Sequence, residues 1–208
     1  MRDNAFPEDR VLFVRRLYEG HSTYQLATLQ LLSGGRKEFI MEAGAIAALR
    51  WITEEIAMAR VPYQITGGLA ARAYGSTRDL YDIDLDVPEP SMDELARRLR
   101  KHIVFGPSRY KDDFWDLQLV TLNHHGFPID LGGAYDTRIF DKLKKRWRIL
   151  SVDLELAQWV TIEGIRVPVA PLEHLLEYKI ILDRIEDRID VMEIRTNMLG
   201  GLARPRND

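Results

Sequence analysis

The sequence predicts a mixed α+β fold: a sheet of short strands flanked by helices before and after it. Three observations predict it. Helical periodicity fills residues 9–60, short strand-like runs separated by turn residues occupy the middle, and a hairpin pattern followed by a second helical stretch closes the chain. At 208 residues, 46% of them apolar and 29% charged, the chain is long enough for a real core. The expected organisation is an N-terminal helical segment over residues 1–60, a central core over 61–150, and a C-terminal hairpin plus helix over 151–208.

Each element has a local cause. Gly20 and the pair Gly34-Gly35 break the N-terminal pattern into pieces of ordinary helix length. In the last piece Ala45, Leu49, Ile52, Ile56 and Ala59 recur at spacings of four and three, which predicts an apolar stripe against the sheet that follows. After Pro62, residues 63–66 predict a strand running into Gly67-Gly68 and the alanine-rich helical turn 69–73. A second strand is expected over 82–87, halted by Pro88 and Pro90, then a helix from the N-cap candidate Ser91 to residue 101. Strands over 117–122 and 127–131 would enclose Asn123-His124-His125-Gly126 as a hairpin loop. The basic stretch 142–148 leads to hairpin arms at 159–162 and 165–169 around Glu163-Gly164. One last helix is expected over 171–198, before a frayed tail at 200–208.

Composition excludes several classes. Twenty-nine Lys and Arg against 32 Asp and Glu leave a formal charge of −3, so no global field draws in nucleic acid or an anionic membrane. With no cysteine there is no disulfide scaffold, thiolate zinc site or thiol nucleophile. The first residues lack the basic start and apolar core of a signal peptide, and no run approaches the ~20 apolar residues of a membrane span. The expectation is a cytoplasmic protein with no membrane partner.

The residues that can carry chemistry cluster between 67 and 84. A glycine pair at a strand-to-helix junction lets backbone approach a ligand closely and offers N–H groups to an anion. In Asp82-Ile83-Asp84 the strand period of two sends both carboxylates to one face and Ile83 to the other. Two like charges there call for a cation, and Mg²⁺ is held by one or two carboxylates plus substrate phosphates. Asp86 shares the face but stands near the strand's end and is secondary. A third carboxylate, Asp130, sits among apolar residues where a lone charge is costly to bury. If its strand pairs with that of Asp82, three carboxylates converge.

Gly67-Gly68, Arg78, Asp82-Ile83-Asp84 and the later single Asp130 resemble the nucleotidyltransferase superfamily related to DNA polymerase beta, over roughly residues 61–131. Within it the chain is most similar to small bacterial members of the AbiEii-toxin-like and antibiotic-modifying type. The resemblance implies a nucleotidyltransferase-type mixed sheet, nucleotide binding at Gly67 and Gly68, and Mg²⁺ or Mn²⁺ held by Asp82, Asp84 and Asp130. Ser76 and Arg78, in the same stretch, are further nucleotide-binding candidates. Many members carry a serine or threonine at or just after the second glycine and another two residues before the first aspartate; this chain departs from them with Leu69 and Leu80.

The segment 167–190 resembles the helix that closes the site in AbiEii-like members, which implies functional roles for Lys179 and a downstream aspartate such as Asp187. On one continuous helix Lys179, Asp183, Asp187 and Asp190 would share a face, with Arg184 and Arg188 turned away and an apolar face at Ile181, Ile185 and Met192. Lys179 would then neutralise nucleotide phosphate. Arg72 is a further phosphate candidate, and Tyr74 or Tyr81 a base-stacking one. His124 and His125 fit an exposed loop better than a metal site. The expected activity is transfer of a nucleoside monophosphate from a nucleoside triphosphate to an acceptor hydroxyl, with pyrophosphate released. A catalytically inactive nucleotide- or partner-binding protein is the alternative, and a metal-dependent phosphohydrolase a third possibility. The acceptor, whether small molecule, tRNA or protein, is not encoded in any residue pattern.

Overall fold

The computed structural model describes residues 41–150 and 152–199. The helical pieces expected before residue 41 and the tail after 199 lie outside the described residues. Five α-helices and nine strands follow: α1 (Ala43–Ala59), β1 (Gln64–Ile65), α2 (Gly67–Ala73), β2 (Ile83–Val87), α3 (Glu89–Leu99), β3 (Ile103–Lys111), β4 (Trp115–His124), β5 (Phe127–Gly133), β6 (Arg138–Asp141), β7 (Arg146–Ile149), β8 (Gln158–Ile162), β9 (Ile165–Val169), α4 (Leu172–Leu182) and α5 (Ile185–Leu199). The expected α+β class with a mixed sheet is what forms. None of these helices is long and apolar enough to cross a membrane.

The strands form one sheet in the order β7-β6-β4-β5-β2-β1-β9-β8, with β3 also paired to β4. Two pairings are parallel, β2 with β5 and β1 with β9; the others are antiparallel. The alternation in β2 decides the two faces. Ile83, Leu85 and Val87 are buried with Ile129, Leu131, Val120 and Leu122 in a single core with the α1 stripe (Ala45, Leu49, Ile52, Ile56) and α3 (Met92, Leu95, Leu99). Burial of each such Leu or Ile side chain contributes roughly 1.5–3 kcal/mol. Asp82, Asp84 and Asp86 occupy the other face, towards α2, α4 and α5.

Several boundaries differ from the sequence expectation for local reasons. α3 begins at Glu89 rather than at Ser91, with Pro90 tolerated in the first turn, and the Glu89 carboxylate accepts the backbone N–H groups of Tyr135 and Asp136. The hairpin between β4 and β5 turns on His125 and Gly126 alone, both at positive φ, so Asn123 and His124 belong to the strand. The long C-terminal helix is two helices: Asp183 adopts a left-handed conformation (φ 50°) and ends α4. Strands β3, β6 and β7 had no clear alternation. Gly106-Pro107 and two register shifts interrupt β3, and the basic stretch supplies the turn and β7.

Candidate active site

The site is built on the polar face of β2 and β5. The parallel register sets Asp84 directly beside Asp130 and Ile83 beside Ile129, so a carboxylate and its neighbour across the ladder share a face while the isoleucines fill the core. Asp82 enters from the residue before β2. One oxygen from each of Asp82, Asp84 and Asp130 falls within 4.8 Å of the others, the one such group of three among the described residues. All three remain partly exposed. Burial pushes the Asp82 carboxyl well above the usual carboxylate range, and the charges of Asp84 and Asp130 push it further; Arg78 and Arg184 counteract only in part. Asp84 is also raised, by burial, against the opposing pull of Lys179, Arg184 and Arg78. Three crowded carboxylate oxygen donors match a hard divalent cation, Mg²⁺ or Mn²⁺, better than a soft one.

The glycine pair is shaped around one of these carboxylates. Gly67 sits at φ 61°, and a Cβ there would overlap Asp84 Oδ2; only glycine allows both the backbone conformation and the approach. The Gly68 backbone N–H favours the ionised form of Asp84, the smallest of the influences on it. The Gly67 N–H donates to the Tyr178 hydroxyl at 3.0 Å, and Thr66 Oγ1 lies 3.4 Å from the same oxygen. Leu69 is fully buried in the core, which accounts for an apolar residue at that position.

Lys179, Asp187 and Asp190 meet as expected, but across the break between α4 and α5. Lys179 Nζ bonds Asp187 Oδ1 at 3.1 Å and Asp190 Oδ2 at 2.8 Å, with all three side chains at most 1% exposed. Burial would depress the ammonium, yet Tyr178, Asp190 and Asp187 outweigh it and Lys179 is raised. Asp190 is held below the usual range: burial opposes this, and Lys179 and Arg78 overcome it. Arg78 Nε reaches Asp190 at 3.2 Å. Ser76 Oγ lies within hydrogen-bond distance of Asp190 and Glu193, and Glu193 accepts the Thr77 N–H. The loop over residues 76–78 is thereby pinned to α5.

Two expectations need correction. Asp183 does not join this group; it ends α4 and pairs with Arg188. Arg184 does not turn away. It bonds Asp187 at 2.7 Å, lies 5.9 Å from the Trp115 ring centroid, and its charge reaches both Asp82 and Asp84. The helix break causes both changes. The expected apolar face beyond it is partly solvated, with Ile185 58% and Met192 50% exposed. Tyr178 and Gln64 are also part of the site and were missed; Tyr178 adjoins Lys179 in sequence, whereas no signal marks Gln64. Asp86 accepts a 2.7 Å hydrogen bond from Gln64 Nε2, and burial raises its carboxyl to about 7. Arg72 bonds the Arg78 carbonyl, a loop-holding contact. Tyr74 is buried, with its hydroxyl donating to the Ala170 carbonyl. His124 stacks on Trp51.

No family profile and no curated protein matches the sequence. Solved structures do match the fold. A Thermotoga maritima protein crystallised as a candidate nucleotidyltransferase superposes with TM-score 0.60 at 19% identity, covering 80% of this chain and 99% of its own. The antibiotic-resistance factor ANT(2'')-Ia, in its solution structure, superposes with TM-score 0.53 at 15% identity over 78% of this chain and 89% of its own. The chain has the fold of the nucleotidyltransferases.

Proposed function

We propose that this protein is a metal-dependent nucleotidyltransferase that moves a nucleoside monophosphate from a nucleoside triphosphate to an acceptor hydroxyl. The observation that carries the proposal is the convergence of Asp82, Asp84 and Asp130 beside a glycine whose missing Cβ leaves room for Asp84. Asp82, Asp84 and Asp130 would hold Mg²⁺ or Mn²⁺, which when bound neutralises the triphosphate and the charge that develops on the leaving group. Arg78, Lys179 and Arg184 set the positive potential on the triphosphate side. Asp130 accepts the acceptor's proton as its oxygen attacks the α-phosphorus; the bond from that phosphorus to the bridging oxygen breaks, and pyrophosphate leaves with the electron pair. The chain's part is positioning and charge neutralisation rather than covalent catalysis.

The experiment is pyrophosphate release from each triphosphate with Mg²⁺ or Mn²⁺ and a cell extract as acceptor source, followed by mass spectrometry for the product that gains a nucleotide. Wild type should turn over and the Asp82→Ala, Asp84→Ala double variant should not; equal release by both ends the assignment. A nucleotide-binding protein without turnover is the second possibility, favoured by Leu69 and Leu80 and by the Tyr178 hydroxyl standing on the Gly67 N–H. Calorimetry showing nucleotide binding with no transfer to any acceptor would select it.

A further inference from the structure

Gly67, Gly68 and Leu69 bring no hydroxyl to the glycine turn, and Leu69 is committed to the core. A hydroxyl reaches the turn from another element. Tyr178 on α4 sets its oxygen 3.0 Å from the Gly67 nitrogen, on the residue whose missing Cβ leaves room for Asp84. An amide N–H can only donate, so it fills one acceptor position of the phenol oxygen and leaves the phenol proton still to be placed. Thr66 Oγ1, at 3.4 Å, is too far for a normal O–H···O bond, which spans about 2.5–3.0 Å. Among the described residues that proton meets no closer acceptor. Burial raises the pKa of the phenol, so the proton stays on the oxygen. The ring that carries it is held in place: Tyr178 is only 5% exposed and meets the Trp115 ring edge-on, with centroids 6.1 Å apart and 62° between planes.

We infer that the Tyr178 hydroxyl is a phosphate-binding group, which accepts the Gly67 N–H and donates its own proton to an oxygen of the bound triphosphate. The surroundings select an anion. Lys179 Nζ lies 5.6 Å from the Tyr178 ring centroid, and Arg184 lies 5.9 Å from the centroid of the Trp115 ring that the tyrosine meets. Asp187, whose charge also reaches the phenol, is paired to both of these cations. Asp84, the other carboxylate that reaches it, belongs to the triad that would hold the metal. A phosphate oxygen has lone pairs and no proton, so it takes the one donor the hydroxyl has left and asks nothing of its occupied acceptor side. The hydroxyl thus carries the donor character of the Gly67 N–H one group further into the site. This inference rests on the proposed nucleotide binding, not on transfer to an acceptor.

The test titrates full-length protein calorimetrically with ATP and with inorganic tripolyphosphate, each in the presence of Mn²⁺. Wild type should bind both. Tyr178→Phe, which keeps the ring and its contact with Trp115, should weaken both by one common factor of about tenfold to a hundredfold, the range of a hydrogen bond to a charged group. Equal or tighter binding by Tyr178→Phe overturns the inference: the hydroxyl then only caps the Gly67 N–H, or gives its proton to a water in the cavity of about 20 Å³ that Tyr178 lines with Thr66 and Gln64. Weaker ATP binding with unchanged tripolyphosphate binding would put the hydroxyl on the nucleoside and refute the phosphate contact. A second measurement needs no variant, so misfolding cannot hide the answer. In wild type carrying ¹³C at the tyrosine Cζ, whose chemical shift follows the hydrogen bond at the hydroxyl, tripolyphosphate should move a resonance; no movement of any tyrosine signal sinks the inference. Wild type that binds neither ligand removes nucleotide binding itself and this inference with it, whereas wild type and Tyr178→Phe that bind both equally remove the role of Tyr178 alone.

Discussion

Two clusters of carboxylates, one buried and one partly exposed, lie on the same side of the sheet, and opposite rules hold them. Asp187 and Asp190 surround Lys179 and also meet Arg184 and Arg78, so each negative charge has a cation in hydrogen-bond contact. Asp82 is pushed up by the charges of Asp84 and Asp130, with Arg78 and Arg184 acting against them, and burial raises Asp84 against the pull of Lys179, Arg184 and Arg78. The signs of the shifts follow: Asp190 is driven down, whereas Asp82 and Asp84 are driven up. A cluster that neutralises itself holds α4, α5 and the 76–78 loop together. A cluster left repelling itself is suited to an external cation, and the two should respond oppositely to mutation.

The sharpest contrast comes from neutralising the repelling cluster. Asp84→Asn should lower transfer by about 10³-fold or more, the scale of removing a key transition-state charge contact. The same change should leave the fold intact or stabilise it by about 1 kcal/mol, because it relieves the burial of a charge that the pull of Lys179, Arg184 and Arg78 does not fully offset. Thermal unfolding with and without Mn²⁺ sharpens the comparison. Saturating metal at 100 times its dissociation constant stabilises by about 2.7 kcal/mol through linkage, an increment expected in wild type and absent in Asp84→Asn. Metal stabilisation of equal size in both proteins would place the cation elsewhere.

Next in size is the self-neutralising cluster. Lys179→Met keeps the volume but leaves Asp187 and Asp190 buried without their ammonium, a loss of about 3–5 kcal/mol that denaturant unfolding would measure. Adding Mn²⁺ to this variant should still stabilise it by at least the wild-type increment, since the three carboxylates remain and a competing positive charge beside Asp84 is gone. Little loss of stability would mean that Arg78 and Arg184 suffice to neutralise the pair.

Gly67→Ala probes the seam between the two regions. The left-handed backbone conformation costs about 1–2 kcal/mol for a residue with a Cβ, and the added methyl must displace the Asp84 carboxyl. Transfer should fall by about tenfold or more, with a smaller loss of stability than Lys179→Met causes. Unchanged metal affinity in Gly67→Ala would show that the glycine does not seat Asp84.

How much of this was legible depended on whether one strand or one helix sufficed. The Asp82-Ile83-Asp84 alternation needs only the period of two, and it correctly assigned the faces. Asp130 needed a pairing partner, which the resemblance supplied and the β2–β5 register shows. Lys179 with Asp187 and Asp190 were read from helical spacing, yet the contact forms through a break at Asp183 that the spacing does not contain. Asp183 has no glycine or proline signal, so Arg184 was turned the wrong way. Gln64 was invisible because its meaning lies in the residue opposite it on β2. β3 was lost where Gly106-Pro107 interrupts its pattern.

The smallest effect lies at the far end of β4, where no charge compensation operates. His124 stacks on Trp51 with ring centroids 4.4 Å apart and 11° between planes, and His102 and His125 lie 5.6 and 4.4 Å from it. Burial lowers the His124 pKa, and the two neighbouring histidines lower it further. A depressed imidazole in the folded state means that the unfolded chain binds the proton more readily, so stability is full above the unfolded value near 6.5 and falls as pH drops towards the folded value. The ring is partly solvated, which limits the change to a few tenths of a kcal/mol, or about 1 °C. Between pH 7.5 and 5 the Asp86 carboxyl, raised to about 7, adds an opposite and larger slope to wild type and variants alike. The histidine contribution is therefore read as a difference: His124→Phe, which keeps the stack on Trp51 without the proton, should gain in melting temperature on wild type as pH falls. Because Lys179 stays charged and ion-paired throughout that range, the Lys179→Met variant should keep the wild-type slope on a lower baseline. A difference between wild type and His124→Phe that does not change with pH would remove the titration from the histidine stack.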